Sequence, residues 1–201
     1  METALKRLSL VAVFFAIVLL GSAANAQQID FAFGVGTISS AAATTNSSGF
    51  KLESLTGGAY PAISGDFLLH KNFGIGGEIA WRASEALYAG FAPYRPVLWD
   101  FDAMYIPRLS SRLAAELSAG IGAESIRFYS PYLNCGFAGC TNYTTSTHFL
   151  GQFGGGLKVY VHGGLFVRPE VHFYLINNNL EFSSDHALRY GGSIGYTFGG
   201  R

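Results

Sequence analysis

The sequence predicts an all-β fold: an eight-stranded antiparallel up-and-down transmembrane β-barrel that follows a cleaved signal peptide. Three observations point to it. Past the N-terminus, apolar residues alternate with polar or glycine residues in eight separate runs, the period of a strand with two unlike faces. The connections between those runs alternate between long and short. Only 13% of the 201 residues are charged, against 49% hydrophobic and 15% aromatic, whereas a soluble surface uses about 25–35% charged residues. The formal net charge is zero. That excludes a disordered chain and leaves no basic excess for binding nucleic acid.

The first 26 residues are read as a signal peptide and the barrel domain as residues 27–201. Lys6 and Arg7 precede an apolar run from Leu8 to Leu20, and Ala24-Asn25-Ala26 follows as a small-x-small cleavage site. The run is shorter than the ~20 residues of a spanning helix and has the layout of an export signal.

The alternation then proceeds in order. The first run sets Ile29, Phe31, Phe33 and Val35 against Asp30, Ala32, Gly34 and Gly36. The second sets Ile63, Gly65, Phe67 and Leu69 against Ser64, Asp66 and His70. The third pairs Phe73, Ile75, Ile79 and Trp81 with Gly74, Gly76, Glu78 and Arg82, and the fourth pairs Val97, Trp99, Phe101, Ala103 and Tyr105 with Asp100, Asp102 and Met104. The fifth has Leu113, Ala115, Leu117, Ala119 and Ile121 against Arg112, Glu116, Ser118 and Gly120. The sixth has Phe149, Phe153, Leu157, Val159 and Val161 against Gln152, Gly154, Gly156, Lys158 and Tyr160. The seventh opposes Leu165, Val167, Val171, Phe173 and Leu175 to Arg168, Glu170, His172 and Tyr174. The last opposes Leu188, Tyr190, Ile194, Tyr196 and Phe198 to Arg189, Ser193 and Thr197. Each run is about the length of a tilted bilayer-crossing strand, roughly 9–11 residues.

Residues 38–58, 84–93, 128–147 and 177–186 read as the longer loops. His70-Lys71-Asn72, residues 107–111 and His162-Gly163-Gly164 read as short turns. Short turns on one side and long loops on the other is the layout of an outer-membrane barrel. Lipid offers no hydrogen-bond partners, so a sheet crosses it only when closed. The apolar register then faces lipid, and the charged and glycine-rich register fills the lumen.

The final run places Tyr190, Ile194, Tyr196 and Phe198 on one face, followed by Gly199-Gly200-Arg201. This resembles the C-terminal recognition sequence of bacterial outer-membrane proteins, although the family usually ends on the aromatic itself. With the strand and loop pattern, the chain resembles a small outer-membrane barrel domain of the OmpA/OmpX type. The resemblance implies residence in the bacterial outer membrane, contact with its lipid and lipopolysaccharide, and insertion by the barrel-assembly machinery through the strand ending at Phe198. It also implies a role in envelope structure or surface interaction, with an extracellular partner at the loops.

The expected lumen holds a network of ion pairs among Asp66, Glu78, Arg82, Asp100, Asp102, Arg112, Glu116, Lys158, Arg168, Glu170 and Arg189. Acids gather on the second to fifth runs and bases on the last three. Arg168 and Arg189 are expected to reach across to Glu78, Asp100 or Asp102. A barrel of eight strands is just wide enough for side chains to fill it, so a plugged lumen is favoured over a narrow channel for small or apolar solutes.

Chemistry-bearing residues are sparse. Cys135 and Cys140 flank four residues in a long loop and suit a disulfide staple in an oxidising compartment. Tyr129, Tyr132, Phe137 and Tyr143 surround them as a recognition surface. Ser183, Ser184, Asp185 and His186 have triad residue types, but neighbours in sequence rarely converge as a triad. His70, His148, His162, His172 and His186 form no close ligand pair on one strand. The expectation is therefore no catalytic set, no metal and no cofactor. A lipid A-modifying barrel enzyme is the second alternative, and a soluble lipocalin-like barrel, with the apolar register inside, is a third.

Overall fold

The computed structural model describes residues 28–45, 49, 51–136, 139–179 and 181–199. The signal segment and Phe137 lie outside the described residues. The strands are β1 (Ile29–Ser40), β2 (Thr44–Thr45), β3 (Lys51–Leu52), β4 (Tyr60–His70), β5 (Phe73–Trp81), β6 (Ala86–Tyr88), β7 (Ala92–Tyr105), β8 (Leu113–Gly136), β9 (Gly139–His162), β10 (Leu165–Ile176) and β11 (His186–Phe198). Among the described residues, no helix is long and apolar enough to cross a membrane.

Eight of these strands form a ring in which each long strand pairs antiparallel with the next, and β5 pairs directly with β7. The ring closes where β1 meets β11, in register from Ile29↔Phe198 to Ser40↔Ala187. Closure pairs both edges that an open sheet would leave bare. Gly163, at φ 53°, supplies the left-handed conformation of the tight turn between β9 and β10, where a side chain would be strained.

Burial alternates with strand parity, most regularly along β10. Phe166, Arg168, Glu170, His172, Tyr174 and Ile176 are buried, while Val167, Val171, Phe173 and Leu175 are exposed. The molecule is inside out by soluble standards: Arg189 is 1% exposed and Phe101 is 69% exposed. This apolar outer face excludes the lipocalin-like alternative, which needs that register inside. Phe73 and Tyr105 (ring centroids 4.8 Å apart) and Tyr196 and Phe198 (4.7 Å) mark the end of the barrel with short turns. They form an aromatic girdle of the kind found at a membrane interface.

One expectation is corrected. Residues 128–147 are not an irregular loop. β8 and β9 each run for 24 residues and continue past the ring as a two-stranded hairpin. Threonine, tyrosine and serine dominate residues 141–147, and β-branched and aromatic residues favour extended backbone even when polar. The loop of residues 82–91 likewise contains β6, paired with β7.

Candidate functional site

The lumen is filled in three layers. At the end with the short turns, Ala32, Leu68, Met104, Ile106, Ala114, Tyr160 and Phe166 form an apolar floor. At the other end, Ile38, Tyr60, Tyr94, Leu98, Ile126, Leu150, Tyr174 and Ile176 form an apolar cap. Two loop residues complete that cap: Leu55 before β4 and Phe182 between β10 and β11. Phe182 packs 5.3 Å from the Tyr94 ring and 5.9 Å from the Tyr88 ring. The two loops meet across the mouth, where the Ser183 amide donates to the Glu53 carbonyl at 2.9 Å.

Between these layers lies a charged belt. Lys158 Nζ, on β9, reaches Asp30 at 2.6 Å, Glu116 at 2.7 Å and Asp66 at 2.9 Å. Asp30 and Asp66 face each other across β1 and β4, and like charges placed so repel. The single ammonium between them relieves that repulsion. Arg168 donates to Glu116 (2.6 Å), Glu170 (2.8 Å), Ser64 (2.9 Å) and Ser193 (3.1 Å). Arg189 binds Glu78, reaches Glu170 at 3.4 Å and donates to the Tyr174 hydroxyl at 3.2 Å. Gln152 bridges Ser118 (3.1 Å) and His172 Nδ1 (2.8 Å).

Glycine makes this crossing geometry feasible. A Cβ on Gly156 would sit 3.0 Å from Arg168 Cγ, so a larger residue there would displace the arginine that spans the lumen.

The structure gathers Asp66, Glu78, Glu116, Lys158, Arg168, Glu170 and Arg189 into this belt. Asp100 and Asp102 are buried beside it, but among the described residues neither arginine forms an ion pair with them. Arg168 instead spends its donors on Glu116 and Glu170. Arg82 lies outside the belt, at the outer rim, with its guanidinium 5.9 Å from the centroid of Tyr94. Arg112 is exposed in the turn between β7 and β8, because the inward register of β8 begins after it. Asp30, Ser64, Tyr174 and Ser193 belong to the belt and were not anticipated as members. Asp30 carries the parity signal, since it alternates with Ile29 and Phe31. Ser64 and Ser193 do too, but small hydroxyls carry little weight when charge is the search criterion.

Beyond the ring, residues 129–136 of β8 pair with residues 139–143 of β9. Cys135 and Cys140 face each other across the two strands and form a disulfide, with Cα atoms 4.0 Å apart. The Tyr129 and Tyr143 rings lie 6.1 Å apart, and the Arg127 guanidinium sits 5.2 Å from the Tyr143 centroid. Tyr132 is 80% exposed and Leu133 70%, so the hairpin presents large apolar groups to solvent.

Two serine–histidine contacts occur near the cap. Ser184 Oγ lies 3.1 Å from His186 Nδ1 and accepts from the His186 amide, a local turn. Ser146 Oγ lies 3.1 Å from His148 Nε2 and donates to Glu181 at 2.6 Å, while Glu181 also sits 2.9 Å from that same Nε2. A serine relay needs the two ring nitrogens on opposite partners; here one nitrogen serves both. The sequence signal for this cluster is Ser146-x-His148, two residues on one face of a strand.

The solved structures that resemble this architecture agree with it. The attachment invasion locus protein Ail of Yersinia pestis, solved with the heparin analogue sucrose octasulfate, superposes with a TM-score of 0.56 over 86% of this chain and 99% of Ail, at 13% identity. The fold is that of the small bacterial outer-membrane β-barrels. Neisserial surface protein A gives a TM-score of 0.57 at 10% identity, covering 86% of this chain and 97% of its own. A major outer-membrane protein of Thermus thermophilus gives 0.57 at 10% identity, covering 87% and 100%. No protein-family model matches the sequence, nor does any curated protein.

Proposed function

We propose that this chain is a non-catalytic integral protein of the bacterial outer membrane, whose barrel is a rigid, closed base and whose extracellular loops do its work. The observation that carries this reading is the filled lumen: cap, ion-paired belt and floor occupy successive levels of the barrel. An eight-stranded ring leaves little room beyond its own side chains. The surface that remains for recognition is the disulfide-tipped hairpin with Tyr132 and Leu133 exposed, standing above a cap that ties two further loops down. Its partners in this reading are outer-membrane lipid and lipopolysaccharide at the apolar belt, the barrel-assembly machinery at the strand ending with Phe198, and an extracellular surface at the hairpin.

The polyanion seen on Ail does not carry over easily. The outer loops and the outer ends of β7 and β8 hold Lys51, Arg82, Arg95 and Arg127 against Glu53, Glu85, Glu181 and Asp185, a balanced set rather than a basic one. Recognition through aromatic and hydroxyl groups fits the hairpin better.

The test is reconstitution of the purified barrel in planar bilayers and in vesicles containing lipid A. The reading expects electrically silent insertion and unchanged lipid A acylation by mass spectrometry. Steady open-channel steps would favour the narrow-channel alternative. Loss or gain of an acyl chain would favour the lipid A-modifying enzyme.

A further inference from the structure

The two rims of the barrel differ in charge. The outer rim is balanced, whereas the three short turns at the other end hold His70, Lys71, Arg108, Arg112 and His162 and no aspartate or glutamate. The acids nearest to them in the strands, Asp30, Asp66 and Glu116, are buried in the lumen against Lys158. Lys71 and Arg112 are exposed, and among the described residues neither forms an ion pair. Arg108 donates to Gln28 at 3.3 Å.

These turns make one continuous surface. β5 and β7 are neighbours in the ring, as are β8 and β9. The Ile106 amide donates to the Asn72 carbonyl at 2.7 Å, which joins the first turn to the second. The Tyr160 amide donates to the Arg112 carbonyl at 2.9 Å, which joins the second turn to the end of β9. Between the second and third turns, Ser111, Arg112, Tyr160, Val161, His162 and Gly163 line a recess of about 220 Å³. Its wall is mixed in character. Arg112, Ser111 and His162 carry N–H and O–H donors, while Val161 is 62% exposed on the lipid-facing register. Leu109, 58% exposed, stands on the same turn as Arg112. A soluble anion needs only the donors. A molecule that joins a phosphate to an acyl chain uses the donors and the apolar side chains together. The recess also lies at the end of the barrel that carries the Phe73, Tyr105, Tyr196 and Phe198 girdle, which is headgroup depth.

We propose that this basic rim binds an anionic phospholipid of the periplasmic leaflet, with the phosphate against Arg112, Ser111 and His162 and the chain running along the wall beside Val161. A guanidinium grips a phosphate through paired N–H bonds. Lys71, on the adjoining turn, adds to the pull, as each Lys or Arg near a membrane surface does for anionic lipid. The inference rests on the outer-membrane reading, in which short turns face the periplasm. It adds a headgroup preference that the apolar belt alone does not have.

The experiment is native mass spectrometry of the refolded barrel in detergent, titrated with dioleoyl phosphatidylglycerol or with dioleoyl phosphatidylcholine. The chains are identical, so a difference in retention reads the headgroup. The unboiled fast-migrating gel band reports folding for every variant, and its absence in wild type would overturn the barrel and the lipid site together. The expected result is one phosphatidylglycerol held at least tenfold more tightly than phosphatidylcholine, with the preference shrinking as sodium chloride is added. Arg112→Gln weakens phosphatidylglycerol about fivefold, and Lys71→Asn/Arg112→Gln abolishes the preference. Asparagine is chosen because Lys71 sits at φ 47°, a conformation that residue accepts. Arg95→Gln/Arg127→Gln, which removes two cations from the outer rim, retains the preference. The proposal is overturned if the folded wild type holds the two lipids equally, or if the outer-rim variant loses the preference as fully as the inner-rim one. It is also overturned if glycerol phosphate, which has no acyl chain, displaces the lipid at equal concentration, since the site would then be one for a soluble anion.

Discussion

Arg168→Ala is the substitution that most directly tests the ion-paired lumen. The guanidinium is 2% exposed and donates to Glu116, Glu170, Ser64 and Ser193. Removing one member of a buried ion pair costs about 3–5 kcal/mol, because the remaining charge is stranded. The belt softens that cost. Glu116 keeps Lys158 at 2.7 Å, Asp66 keeps Lys158 at 2.9 Å, and Glu170 keeps Ser193 at 2.9 Å and Arg189 at 3.4 Å. The lower end of the range applies, ~3 kcal/mol, or roughly a 140-fold fall in the folded-to-unfolded ratio. The assay is a urea titration of the refolded barrel in detergent, with the unboiled fast-migrating band as the folded fraction. Arg112→Ala is the matched control: it removes the same side chain from an exposed turn and is expected to change stability by less than about 0.5 kcal/mol. Conductance in planar bilayers stays low in both, since the apolar cap and floor remain. Equal stabilities of Arg168→Ala and Arg112→Ala would refute the reasoning, as would a large conductance rise in Arg168→Ala without loss of stability.

The outer face gives a second expectation. Phe101→Arg places a charge at a lipid-facing position and costs about 2–4 kcal/mol near the bilayer midplane, whereas Tyr132→Arg on the hairpin leaves the same urea midpoint unchanged. Gly156→Val crowds the Arg168 stem and lowers stability by about 1–3 kcal/mol; pairing it with Arg168→Ala should relieve most of that penalty in a double-mutant cycle. Cys135→Ser/Cys140→Ser preserves the heat-dependent mobility shift, because the disulfide lies outside the ring, but speeds cleavage of the hairpin in limited proteolysis of intact cells. An unchanged cleavage rate would mean that strand pairing alone orders the tip.

The sequence by itself determined the parts that follow from parity. A period of two assigns every side chain to one of two faces, so the lipid-facing belt, the polar lumen and the number of spanning strands were all legible from eight alternating runs. The alternation of short and long connections gave the neighbours in the ring, since a tight turn can only join adjacent antiparallel strands. Tertiary structure alone decided what depends on strand stagger and on distance across the barrel. Whether Arg168 meets Glu116 or Asp102 is set by how far β10 is displaced along the axis relative to β7 and β8, and alternation carries no information about that displacement. Arg112 has the right residue type but lies just beyond the end of the inward register, a boundary set by the turn rather than by the run. The same holds at the mouth of the barrel. Leu55 and Phe182 come from two loops 127 residues apart in numbering. Only closure of the ring between β1 and β11 brings such distant segments over the same opening.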